Sequence, residues 1–180
     1  VLTTQYEFSS SLDDRIELLT SNGMIGLLLV LLMLGLFLSA RLSFWVAFGI
    51  PFSFLGMFII ATMMGLTINM ITLFGMILVV GILVDDGIVI AENIFVHFEK
   101  GKNPFQAALD GTIEVVPSVF TSVMTTIAAF SILLFIEGME MMREMPIVVM
   151  LALGFSLIEA FIILPVHLAS KRVLSKPKEG

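Results

Sequence analysis

The chain has no cysteine, one tryptophan and one tyrosine, and only 13% of its 180 residues are charged. Each scarcity excludes something. Without cysteine, neither a disulfide nor a thiolate metal site can form. A soluble domain carries about 25% charged residues, so half that value excludes an ordinary water-facing surface. Also absent are a phosphate-binding glycine loop, an HExxH zinc motif and a nucleophile elbow. The chain opens at Val1, with no basic leader, short apolar run and cleavage site. The expectation is a piece of a longer protein, without a signal peptide.

What fills the space is apolar. Hydrophobic residues make up 58% of the chain, and the mean hydropathy is +1.09. A membrane-spanning helix needs roughly 20 mostly apolar residues. Such runs occur at residues 24–40, 42–64, 70–96, 115–136 and 146–168. None alternates with the period of a barrel strand, and all are too long for one. The expected fold class is all-α: a bundle of five transmembrane helices with short surface helices. One surface helix is expected at 11–23, where serines precede Asp13 and Asp14. A second is expected at 103–111, with Asn103 as N-cap, Pro104 in the first turn and Gly111 past the end. Pro51 should disturb the second span, because it lacks one backbone donor. Residues 169–180 form a basic tail.

Basic residues orient the bundle. With the N-terminus outside, the inner side receives Arg41, Lys100, Lys102, Lys171, Arg172, Lys176 and Lys178. Only Arg15 and Arg143 fall outside, so seven of the nine basic residues lie within.

Against that background, Asp85 and Asp86 stand out in "GILVDDGIVIAENI", near the middle of the third run. Adjacent helical residues lie about 100° apart. Insertion of one aspartate at the centre of a span costs about 2.5–3.5 kcal/mol, and two ionised neighbours also repel each other. No lysine or arginine falls inside any run, and His97 and His167 lie at span ends. Either at least one carboxyl carries a proton, or the missing cation belongs to a helix outside this chain. A polar pair serving only as glue between helices is the bland reading, but Asn, Gln, Ser or Thr do that at lower cost. The other reading is a proton or ion relay. Glu159 is a third acid at membrane depth, either part of a polar path or paired with a hydroxyl. Thr121 and Thr125 belong to a stripe with Ser118 and Ser122. They either hydrate a route to the aspartates or bond back to their own helix. No metal site is suggested.

These residues carry a resemblance. "TLFGMILVVGILVDDGIVIAENI" resembles the fourth transmembrane helix of resistance–nodulation–division efflux transporters, closest to the hydrophobe/amphiphile (multidrug) branch. "LLVLLMLGLFLSARLSFWVAFGIPFSFLGMF" resembles the second and third helices, "TSVMTTIAAFSILLFIEG" the fifth and "LGFSLIEAFIILPVHLAS" the sixth. Heavy-metal exporters usually carry one aspartate followed by alanine here, so the doublet favours the multidrug branch.

The resemblance implies that Asp85 and Asp86 are the proton-relay carboxylates and that a lysine in an absent C-terminal half is their partner. It implies no cofactor, the driving force being the proton-motive force. It places residues 1–10 at the end of a periplasmic porter region, the N-terminus in the periplasm and the C-terminus in the cytoplasm, in a bacterial inner membrane. The implied partners are the lipid bilayer, two further copies in a homotrimer, a periplasmic adaptor and an outer-membrane channel, with no nucleic acid. Residues 1–180 alone are not expected to transport. Three rivals remain: an intramembrane aspartyl protease, a non-transporting structural membrane module, and a relative driven by sodium or serving protein or lipid export. The first normally takes its aspartates from two helices, whereas here they are adjacent.

Overall fold

In the computed structural model the described residues are 40–67, 69–136, 142–170, 173 and 174, with the isolated positions 21, 24, 25, 28, 29, 32 and 35. The expected porter remnant at 1–10 lies outside them. So do most of the surface helix at 11–23, most of the span at 24–40 and most of the tail at 169–180. Met24, Ile25, Leu28, Leu29 and Leu32 are helical and exposed.

Five helices follow in order: α1 (Ala40–Met63), α2 (Met70–Glu99), α3 (Pro104–Ile132), α4 (Glu144–Ile158) and α5 (Leu164–Leu168). A short 3-10 turn, Leu133–Phe135, closes α3. One π turn, Glu159–Ile163, joins α4 to α5, so that residues 144–168 form a single rod. Four stretches are long and apolar enough to cross a membrane: Arg41–Met63, Met70–Glu99, Pro104–Phe135 and Glu144–Leu168. No strand occurs among the described residues.

Local chemistry sets the helix ends. α1 stops in a Schellman turn: Gly65 has φ 70, Leu66 N–H donates to Ala61 O at 3.0 Å, and Gly65 N–H donates to Thr62 O at 3.1 Å. Asn69 then opens α2. Its Oδ1 accepts from the N–H groups of Ile71 and Thr72, and Thr72 Oγ1 accepts from Asn69 N–H at 2.8 Å, a reciprocal capping box. Asn103 Oδ1 caps α3 through Gln106 N–H at 3.0 Å, with Pro104 in the first turn. α1 continues through Pro51.

The expectation of two elements, a surface helix at 103–111 and a span at 115–136, is corrected: α3 is continuous from Pro104 to Ile132. Gly111 is no helix stop. It is the place where α3 lies against α2, and a Cβ there would stand 2.7 Å from Ile94 Cα. The stretch Pro104–Phe135 has 32 residues, about 48 Å at 1.5 Å per residue. The hydrocarbon layer is about 30 Å thick, so this rod is longer than the layer is thick.

Packing sorts the helices into a central pair and two flanks. α2 and α4 pack against each other and each against both α1 and α3, which share no extensive contact. The core between them holds Val79, Ile90, Ile94, Val149, Leu153 and Leu164, all buried. At one end of the bundle Glu144 ties α4 to the α1–α2 turn: its Oε2 accepts from Asn69 Nδ2 at 2.6 Å and Thr67 Oγ1 at 3.0 Å. Glu144→Ala removes both and should destabilise the bundle by about 1 kcal/mol, read as a lower thermal midpoint of the purified protein. An unchanged midpoint would leave this tie without energetic weight.

Candidate functional site

α2 carries the aspartates on two different faces. Phe74, Leu78, Gly81, Asp85, Val89 and Glu92 are all exposed and recur at three- and four-residue spacing, one continuous stripe along α2 that the described residues leave uncovered. Asp85 sits in the middle of that stripe. Asp86, about 100° round the helix, is on the covered face and only 7% exposed. Next to it Gly87 packs on α1, where a Cβ would stand 2.9 Å from Val46 Cγ1.

Asp86 Oδ2 is the buried side-chain polar atom left without a hydrogen-bond partner among the described residues. A buried polar atom without a partner is uncommon, because losing water without a replacement bond costs about 1–3 kcal/mol, more for a charge. The lysines nearest along the chain, Lys100 and Lys102, follow the end of α2. Fourteen residues separate Asp86 from Lys100, about 21 Å of helix axis. The arrangement is therefore one carboxyl held inside the bundle without a counter-ion among the described residues and a second facing a side that another helix could close. Chemically, such a pair can take up and give back a proton.

The third acid is elsewhere. Glu159, 6% exposed, begins the π turn and lies over Gly49 of α1. Thr121 and Thr125 are exposed on α3, and their hydroxyls donate to their own helix, to Pro117 O at 2.7 Å and Thr121 O at 2.8 Å. The structure does not bring Glu159, Thr121 and Thr125 together. The back-bonding reading of the threonines accounts for their hydroxyls.

One polar cluster was not legible in the sequence. At the basic end of α2, His97 Nε2 meets Glu114 Oε2 at 2.6 Å and His97 Nδ1 meets Lys102 Nζ at 2.8 Å. Lys102 also donates to Asp110 Oδ2 at 2.7 Å, and Asn93 Nδ2 donates to Gly111 O at 2.8 Å. This chain of contacts fastens α2 to the N-terminal part of α3. The spacing of Asn93 and His97, four apart on one helix, is the signal that could have found it.

The fold and the site define a multi-pass α-helical membrane protein with a buried carboxyl oxygen that has no partner among the described residues. Comparison with known proteins carries this further. The AcrB/AcrD/AcrF family matches residues 1–179. The multidrug resistance protein MdtC of Shigella flexneri is 35% identical over 158 residues, covering 86% of this chain and 16% of that protein. MdtC of Escherichia coli (strain K12 / DH10B) has the same identity over the same share of this chain and 15% of its own length. The chain belongs to the AcrB/AcrD/AcrF family of resistance–nodulation–division efflux transporters. It spans about one-sixth of the length of the curated relatives it matches.

Proposed function

We propose that this chain is the proton-carrying helical part of a drug or amphiphile efflux pump, and that Asp85 and Asp86 bind and release the protons whose inward flow drives export. The observation that carries the reading is the split of the pair: Asp86 is buried with an unpartnered oxygen, and Asp85 lies on an uncovered stripe. A site of this shape is half of a site. The other half is a cation on a helix outside these residues, a lysine by the family resemblance, and the pair alternates between pairing with it and holding a proton. The pump sits in a bacterial inner membrane with residue 1 on the periplasmic side and residue 180 in the cytoplasm, as the basic residues direct. It works as a homotrimer with a periplasmic adaptor and an outer-membrane channel, and needs no cofactor beyond the proton-motive force.

The test is transport by the full-length pump in proteoliposomes under an imposed pH gradient or an imposed sodium gradient. Efflux should follow the pH gradient and ignore sodium. Efflux that follows sodium, or cleavage of a membrane peptide that depends on either aspartate, would overturn the proposal in favour of a rival.

A further inference from the structure

Glu159 is placed where nothing in the relay described above uses it. It opens the π turn of the α4–α5 rod, with Leu164 N–H donating to Glu159 O in place of the ordinary α-helical bond. A π turn widens the helix by one residue, and such turns are rare and frequent at functional sites. The side chain lies over Gly49 of α1. A Cβ on Gly49 would stand 2.5 Å from Glu159 Cδ and 2.6 Å from each carboxylate oxygen. The Gly49 carbonyl oxygen accepts from Ser53 Oγ at 3.0 Å. An inserted residue in one helix and a missing side chain in the next together make a slot of carboxyl size.

Among the described residues, neither ion pair involves this carboxyl. The titratable groups on the elements packed around it are Arg41 on α1, Asp85, Asp86, Glu92, His97 and Glu99 on α2, Glu144 on α4 and His167 on α5. The His97–Glu114 contact lies at the other interface, between α2 and α3, and the Lys102–Asp110 ion pair joins the loop after α2 to α3. Arg41 and Gly49 are eight residues apart on α1, about 12 Å of axis. Four residues from Gly49 towards Arg41, Trp45 stacks on His167 with ring centroids 4.0 Å apart. His167 is only half-buried, so a group able to carry a proton stands eight residues along the rod from Glu159, about 12 Å of axis, towards the end of the bundle that holds Arg41, Lys100 and Lys102.

We infer that Glu159 is a second proton-binding carboxyl of the pump, separate from the aspartate pair and reached from the basic end of the bundle past His167. The inference rests on the pump reading for its role in transport, while its chemistry stands on the slot itself.

The test is an infrared pH titration of the full-length protein in lipid. Wild type is compared with Glu159→Gln, Gly49→Ala and the double variant Asp85→Asn/Asp86→Asn. One carboxyl C=O stretching band that grows on acidification should survive in the double variant and vanish in Glu159→Gln. It should shift in Gly49→Ala, whose methyl group intrudes on the slot. Labelling wild type with heavy-carbon glutamate should move this band and leave the aspartate bands in place, a readout that needs no substitution. A set of bands wholly accounted for by aspartate, unmoved by glutamate labelling, overturns the inference. So does a band that responds to sodium at constant pH. Failure of the pump reading looks different: efflux would persist in the double variant, and the Glu159 band would remain.

Discussion

Asp86→Asn in the full-length pump is expected to lower proton-driven efflux at least about 100-fold, since a positioned proton-transfer group contributes roughly 10²–10⁴ in rate. The protein should still insert and fold. Asparagine keeps the size and polarity of the side chain and removes only the ability to ionise. The same loss is expected for Asp85→Asn. The more telling variant is Asp86→Leu. The buried oxygen has no partner among the described residues, so in residues 1–180 taken alone, without the partner cation, leucine should relieve an unsatisfied group and insert more favourably, by about 3 kcal/mol on insertion scales. A bundle that becomes more stable as its transport disappears is the signature of a residue kept for function at the expense of stability. Helix glue predicts the opposite pairing: lower stability with transport retained. Efflux of a fluorescent substrate under a pH gradient, set beside the thermal midpoint of each purified variant, separates the two. Wild-type efflux in Asp86→Asn at normal yield would reduce the pair to packing material.

The two aspartates also differ in what surrounds them, which adjacency in sequence did not reveal. Asp85 belongs to the uncovered stripe with Gly81 and Glu92, and Asp86 to the buried face with Gly87. Hydropathy alone made the long spans legible, because the water-to-lipid transfer of some twenty apolar residues dominates every competing local preference. The caps at Asn69 and Asn103 and the turn at Gly65 follow from side-chain and φ preferences that act within a few residues. Three features were not legible, for one shared reason. That α3 runs on through Gly111, that Glu159 opens a π turn, and that His97 meets Glu114 all depend on which surface a neighbouring helix presents. A glycine next to a polar run reads locally as a stop signal. Only the position of Ile94 on α2 shows that Gly111 is a contact point.

That contact sets the last expectation. Gly111→Val should destabilise the protein by about 3 kcal/mol or more, above the 1–3 kcal/mol usual for overpacking, because the obstacle is backbone. A Cβ at 111 would meet Ile94 Cα at 2.7 Å, Ile94 N at 2.9 Å and the Asn93 carbonyl carbon at 3.1 Å, none of which can rotate away as a side chain would. Relief requires α3 to move off α2. That movement would stretch the 2.8 Å bond from Asn93 to Gly111 O and the 2.6 Å contact of His97 with Glu114. The loss should therefore exceed the steric term, and Gly111→Ala, which carries the same Cβ, should also destabilise, though by less than valine. Gly154→Ala is the matched control: its Cβ would meet nothing within 4 Å, and alanine in a helix interior should gain up to about 1 kcal/mol. Thermal unfolding in detergent measures both. A Gly111→Val protein as stable as wild type would mean that α2 and α3 are not held at this distance, and the polar chain from Asn93 to Asp110 would lose its role as the fastening between them.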